Sequence, residues 1–147
     1  MKDIELTDFD PRQTDELVRM WRESFEFGVG IKDPHPIQEQ RDYFLTEVLS
    51  NNHVSVAQLG KCIVGFLASS SESISQLYVH VDHHRRGIGS MLVDFAKRES
   101  DGSLWLYTFQ QNKIARRFYE RHGFNAIEFG FEEMWQLPDV KYAWSTN

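Results

Sequence analysis

Residues 77–91 read Leu77-Tyr78-Val79-His80-Val81-Asp82-His83-His84-Arg85-Arg86-Gly87-Ile88-Gly89-Ser90-Met91. Two periods meet here. Ile74 to Val81 reads as a strand, with Leu77, Tyr78 and Val79 at its centre. From Ile88 onward, Met91, Leu92, Phe95 and Ala96 follow at i+3, i+4, i+7 and i+8, one face of a helix. The turn between strand and helix is polar and places Arg85 and Arg86 at the helix start. The first N–H groups of a helix have no internal partner, and the dipole there is positive. Two guanidinium groups at that end repel it unless an anion is present. Gly87 and Gly89 leave no Cβ in the way of a close backbone approach, and Ser90 brings a hydroxyl. A phosphate-bearing ligand suits this pattern; the plain alternative is a basic surface turn. The P-loop pattern is absent, and Leu92 stands where a dinucleotide fingerprint needs its third glycine. His80, Asp82, His83 and His84 match no common zinc spacing, so no metal is expected.

Upstream, the pattern implies a strand at 3–6, a helix at about 14–24 carrying Leu17, Val18, Met20 and Trp21, and a loop at 25–36. A second helix at about 37–49 should bury Tyr43, Phe44 and Val48. Alternation in 53–59 and 62–68 around Gly60-Lys61 is a hairpin signal. Downstream, Asp101-Gly102 ends the helix begun near Gly87. A strand follows at 104–109, then a helix at 112–122 closed by Gly123, then strands at 124–131 and 140–144. The expectation is an α/β (α+β) fold: a mixed, mostly antiparallel sheet of about six to seven strands with helices on both faces.

The last helix begins at Asn112, a good N-cap. Asn112 and Tyr119 share one face about two turns, or ~10 Å, apart. Ala115 lies between them, leaving a shallow channel with an amide at one end and a phenol at the other. Read without its neighbours, the pattern is an ordinary capped helix with core aromatics.

Composition bounds the function. The chain has 147 residues, suiting one domain over 1–147. Its net charge of −6 argues against nucleic acid or an anionic membrane as the main partner. Cys62 is the one cysteine, set in an apolar run, so a reducing compartment and a buried, unreactive thiol are expected. No signal peptide or membrane span is evident, and a cytoplasmic location is the expectation.

Together the two constellations resemble the GNAT superfamily of N-acetyltransferases. That family's pyrophosphate signature, Q/R-x-x-G-x-G/A after a strand ending like L-Y-V, is similar to Leu77-Tyr78-Val79 followed by His84-Arg85-Arg86-Gly87-Ile88-Gly89. Its later signature, an Asn followed by A-x-x-[FL]-Y-E-x-x-G-F, is matched by Asn112, Ala115, Phe118, Tyr119, Glu120, Gly123 and Phe124. The order of elements fits along nearly the whole chain. The resemblance implies a GNAT-like sheet whose central parallel strands, 74–81 and 104–109, splay apart and admit acetyl-CoA. It implies that Leu77, Tyr78 and Val79 hold the pantetheine and thioester carbonyl through backbone groups. It implies that Arg85 to Ser90 hold the pyrophosphate, that Asn112 touches the pantetheine arm, and that Tyr119 lies near the sulfur. Three departures stand out: His84 replaces Gln or Arg, Val81 replaces a common proline, and no glutamate lies on either central strand, where Ser75 and Tyr107 occupy the nearest places.

The implied reaction is attack of a neutral primary amine on the thioester in a ternary complex. A backbone N–H near Val79 stabilises the oxyanion, and Tyr119 protonates the leaving thiolate. Glu72, His53, His80 or a water chain are candidates for the base. The acceptor, a small-molecule or peptide amine, should meet the loop at 25–36, with Phe25, Phe27, Asp33 and His35, and the connection at 130–139, with Glu132, Glu133, Trp135 and Asp139. A non-catalytic acyl-CoA sensor is the alternative function. The sequence leaves a homodimer open, through the sheet edge or exposed aromatics.

Overall fold

The computed structural model describes residues 3–146. Its elements in order are β1 (Ile4–Asp8), a 3-10 turn (Pro11–Gln13), α1 (Thr14–Val29), α2 (Ile37–Tyr43), a π-helical turn (Phe44–Val48) and α3 (Leu49–Asn51). Then come β2 (His53–Leu59), β3 (Cys62–Ser69), β4 (Ile74–Val79), a 3-10 turn (Val81–His83), α4 (Ile88–Arg98), β5 (Ser103–Phe109), α5 (Lys113–Arg121), β6 (Asn125–Glu132) and β7 (Leu137–Ser145).

The strands form two antiparallel sheets, ordered β1-β2-β3-β4 and β5-β7-β6. They touch through a parallel bridge between Ser73 and Trp105, where the Trp105 N–H donates to the Glu72 carbonyl at 3.1 Å. Beyond that point β4 and β5 part, so the gap opens toward Val79 and Phe109. This is the mixed α/β fold with the splayed parallel pair that the resemblance implied.

Each sheet face carries its own core. On one face, α1 and the π turn set Leu17, Val18, Trp21, Phe25, Val29 and Phe44 against Val54, Val56 and Phe66. On the other, α4 sets Ile88, Leu92, Val93 and Ala96 against Val64, Leu67, Leu104 and Leu106. A fully buried side chain of this size contributes roughly 1.5–3 kcal/mol. A bulge sorts β3 between the two cores. Ala57 pairs with Gly65 and Gln58 with Ile63, leaving Val64 as the extra residue. Gly65 then lies under α4, where an added Cβ would come within 3.4 Å of both Ile88 and Leu92.

Four boundaries differ from expectation. Helix α1 continues to Val29, so residues 25–29 are helix rather than loop. Phe25 and Val29 extend the i+4 row of Leu17 and Trp21, and burying that row outweighs the weak helix propensity of Gly28. The stop is Gly30, at φ 83°, whose N–H caps the Glu26 carbonyl. The second helix breaks into a π turn, and Tyr43, expected inside, is 44% exposed. Strand β4 ends at Val79 because Val81–His83 wind into a 3-10 turn. Finally, β6 is shifted by one residue to end at Glu132 and β7 is longer than expected, beginning at Leu137, leaving only residues 133–136 as their turn. Cys62 is exposed at the start of β3 rather than buried. Among the described residues, no helix is long and apolar enough to cross a membrane.

Candidate active site

The His80 N–H donates to the Val64 carbonyl at 2.9 Å, the last ladder bond of β4 toward β3. Backbone groups alternate direction along an antiparallel pair. Those of Val79 and Leu77 therefore face the gap, whereas the Tyr78 backbone, expected to join them, turns to its β3 partner Phe66. The Val79 carbonyl already accepts a bond from His84 Nε2 at 2.8 Å, which folds the His84 ring back over the strand end. The ring of Phe27, from the last turns of α1, lies 5.8 Å from it.

Between His84 and α4 the chain makes two left-handed steps, at Arg85 (φ 65°) and Gly87 (φ 78°). Gly87 is the N-cap and provides no side-chain cap. The Met91 N–H bonds back to the Gly87 carbonyl at 3.0 Å, so the N–H groups of Ile88, Gly89 and Ser90 precede the first helical donor. Arg85 and Arg86 are exposed beside them. This cluster of free donors and cations can hold a diphosphate.

The two glycines serve different needs. A Cβ at Gly87 would meet nothing within 4 Å, so its φ alone calls for glycine. A Cβ at Gly89 would lie 2.8 Å from the Phe118 ring, so Gly89 lets α4 pack on α5. The Ser90 hydroxyl is less free than expected, because it pairs with His122 Nε2 at 2.9 Å. His122 Nδ1 faces the Phe118 carbonyl at 3.0 Å and must carry the ring proton, so Ser90 is the donor to Nε2. Ser90 is then left with its backbone N–H for an anion.

On α5, Asn112 caps the helix by accepting the Ala115 N–H at 3.1 Å. The expected channel is closed at this end. Asn112 is 7% exposed, and a Cβ on Gly28 would come within 2.7 Å of its amide nitrogen. Gln111 Nε2 ties the same turn of α1 down by donating to the Val29 carbonyl at 2.7 Å. Ala115 and Phe118 pack against the α4-side core. Tyr119 is buried among Phe118, Phe124 and Tyr142. Burial, reinforced by the Tyr78 phenol, pushes the Tyr119 hydroxyl well above the usual phenol range. Tyr78 is itself pushed up to about 12 by burial, against a hydrogen bond with Trp21. A phenol so placed is fully protonated at neutral pH, as a general acid must be. Its neighbour Glu120 faces away and accepts the Tyr142 hydroxyl at 2.7 Å, while Arg116 donates to the same oxygen at 3.1 Å. That motif glutamate therefore ties α5 to β7.

The far side of the gap is aromatic. Trp135, from the β6–β7 turn, lies 4.6 Å from both Phe25 and His35 and 6.4 Å from Phe109. Of the expected acceptor-side acids, Asp33 is held by Arg22 and His35, and Glu132 accepts the N–H groups of Met134 and Trp135. Asp139 is raised above the usual carboxylate value by burial and by Glu132 and Glu128. Tyr107 is half exposed beneath the Lys141 ammonium, which lies 5.7 Å from its ring.

The candidate bases fare differently. Glu72 and His53 belong to the bridged end of the strands, far from Val79. His80 has both nitrogens occupied, Nε2 by Glu23 at 2.7 Å and Nδ1 by the Asp82 N–H at 3.2 Å. The described residues contain no group of three or more His, Cys, Asp or Glu that could hold a metal. Sequence reasoning missed the Tyr78 side chain, His122, and Arg22 as the organiser of the 30–36 loop. Only the flanking prolines at 34 and 36 hinted that this loop is rigid.

Known proteins resemble this chain in sequence or fold. The chain is 30% identical to the uncharacterized N-acetyltransferase YafP of Escherichia coli over 102 residues, which are 69% of this chain and 61% of YafP. It is 22% identical to the peptidyl-lysine N-acetyltransferase YiaC of Escherichia coli, over 87% of this chain and 88% of YiaC. Apo YjaB from Escherichia coli has the same fold, with a TM-score of 0.80 over 97% of both chains at 22% identity. So does PaiA N-acetyltransferase from Thermoplasma acidophilum, solved in complex with coenzyme A, with a TM-score of 0.77 over 97% of this chain and 99% of that one at 18% identity. The profile of the acetyltransferase (GNAT) domain matches residues 50–126, a span that runs from β2 through the uncapped α4 start to the Tyr119 helix. With more than half of its length so matched, this chain belongs to the GNAT acetyltransferase family.

Proposed function

We propose that this chain transfers the acetyl group of acetyl-CoA to a primary amine by direct attack in a ternary complex. The observation that carries the reading is the pairing of two features on one side of the gap: an uncapped, arginine-flanked helix start and a buried, protonated phenol. In this reading Arg85, Arg86 and the N–H groups from Gly87 to Ser90 hold the diphosphate. The gap-facing backbone of Leu77 and Val79 pairs with the pantetheine, Ala115 and Phe118 line its path, and Asn112, covered by Gly28, acts only as the cap of their helix. The Val79 N–H stabilises the oxyanion, and Tyr119 protonates the departing thiolate. Desolvation raises the pKa of a phenol and of a thiol alike, so a dry site keeps the proton transfer between them nearly balanced. The relationship to YiaC supports a lysine side chain of a peptide as acceptor, and that to PaiA supports a coenzyme A thioester as donor.

The test is thermal unfolding with and without acetyl-CoA, followed by free-thiol release with Nα-acetyl-lysine amide and spermidine. A ligand bound only by the folded state at 100 times its Kd stabilises by about 2.7 kcal/mol. Stabilisation with thiol release supports transfer. Stabilisation without release favours an acyl-CoA sensor, a reading to which the lack of a glutamate on β4 and β5 lends some weight. No stabilisation rejects the donor.

A further inference from the structure

We propose that His35 is the general base that deprotonates the acceptor amine, with Asp33 and Arg22 as its positioning residues. This assignment rests on the transferase reading above.

Asp33-Pro34-His35-Pro36 is a short segment whose two prolines restrict the backbone on both sides of the histidine. Asp33 Oδ1 accepts both the His35 backbone N–H and the ring Nδ1–H, each at 2.9 Å. Only 4% of the Asp33 side chain is exposed, and the carboxylate can only accept. The proton therefore sits on Nδ1, and Nε2 presents its lone pair. Arg22 secures the segment from below by donating to the carbonyls of Asp33 at 2.7 Å and His35 at 2.5 Å. Glu26 accepts the Asp33 N–H at 2.8 Å. The His35 side chain is 34% exposed, and its Nε2 has no hydrogen bond among the described residues.

A carboxylate behind Nδ1 with a free Nε2 is the arrangement that fixes the tautomer of a basic imidazole and stabilises the imidazolium once formed. His84 has a neutral carbonyl as its partner instead. Through Trp135, His35 stands beside the Phe109 end of β5, where the gap is widest. The charged groups around it are Asp33, Arg22 and Glu26, with Lys32 paired to Glu26 and Glu132 beneath the Trp135 turn.

The step balances as follows. His35 Nε2 takes one proton from the acceptor ammonium. The freed nitrogen pair forms the C–N bond to the thioester carbon. The C–S bond breaks, and the Tyr119 hydroxyl protonates the thiolate. The second proton of the former ammonium returns to the phenolate, and His35 releases the first to solvent. Ammonium and thioester become amide, thiol and one proton.

The experiment measures thiol release at saturating acetyl-CoA with Nα-acetyl-lysine amide and spermidine, across pH, for the wild type, His35→Gln, His35→Ala and Asp33→Asn. The His35→Gln variant should lose ~10²-fold or more in kcat. Its KM for acetyl-CoA and its thermal stabilisation by acetyl-CoA should not change. The acid limb of kcat/KM should vanish, and added imidazole should restore turnover to His35→Ala. Asp33→Asn should lower kcat with the same KM for acetyl-CoA. Wild-type kcat and acid limb in His35→Gln would overturn the assignment and leave the transferase standing. A deficit that neither imidazole nor pH moves would assign His35 to packing, also overturning it. No thiol release by the wild type with either amine would overturn the transferase reading, and this assignment with it.

Discussion

On the α4–α5 side of the gap, each functional group is placed by residues close to it in the chain. Gly87 turns the backbone, Ile88 to Ser90 present free N–H groups, and Asn112 caps the helix that carries Tyr119. On the α1 side, the groups come together from distant segments: Phe25 from α1, His35 from the loop, Phe109 from β5 and Trp135 from the last turn. The first side is a local backbone device suited to a ligand of fixed chemistry. The second is a long-range packing product that can vary while the sheet stays the same. The two meet where Gly28 packs on Asn112.

The sharpest way to break this comparison is Gly89→Glu. Its Cβ would enter the Phe118 ring, and its carboxylate would repel a diphosphate. Stabilisation by acetyl-CoA should disappear in thermal unfolding, a loss on the order of 2.7 kcal/mol at 100-fold excess over Kd. A retained shift would move the phosphate site elsewhere.

Tyr119→Phe tests the chemistry of the same side without disturbing its binding. Turnover should fall ~10²–10⁴-fold in a thiol-release assay, with acetyl-CoA stabilisation nearly intact. Equal loss of both would make Tyr119 a packing residue.

Tyr142→Phe should separate fold from site. It leaves Glu120 and Arg116 without their shared hydroxyl, costing about 1–3 kcal/mol in urea unfolding, with little change in KM for acetyl-CoA. A large KM change would mean that α5 is positioned by this contact.

The smallest effect is on pH dependence. Burial and nearby cations hold His83 and His122 below the usual histidine value, and His83 Nδ1 is shielded from solvent without a hydrogen-bond partner among the described residues. The unfolded chain therefore binds more protons than the folded one as pH falls through the ordinary histidine range. Stability should accordingly be full above about pH 7 and decline toward pH ~5. Replacing His122 by Gln should flatten part of that slope in denaturant melts at several pH values.

Much of the fold could be read in advance, because period is a local property. The hairpin at Gly60-Lys61, the strand-to-helix change at residue 87 and the Asn112 cap all appeared where expected. The end of α1 did not, because Gly28 reads as a breaker until Asn112 is known to lie against it. Tyr43 was placed inside because a π turn leaves no sequence period of its own. The openness of the Asn112–Tyr119 channel and the freedom of the Ser90 hydroxyl were also misjudged, since α1 and His122 reach them from far along the chain.

By itself, then, the sequence determined the family resemblance, the order of elements and the glycine-rich, arginine-flanked helix start proposed to hold an anion. Those depend on residues within a few turns of one another, where spacing and stereochemistry leave little choice. Only the tertiary structure decided that His35 has a carboxylate behind it and a free nitrogen in front, which acids are already engaged, and where α1 closes the gap. Those outcomes depend on contacts between segments tens of residues apart, and packing two cores on one split sheet selects among many pairings that the sequence permits equally.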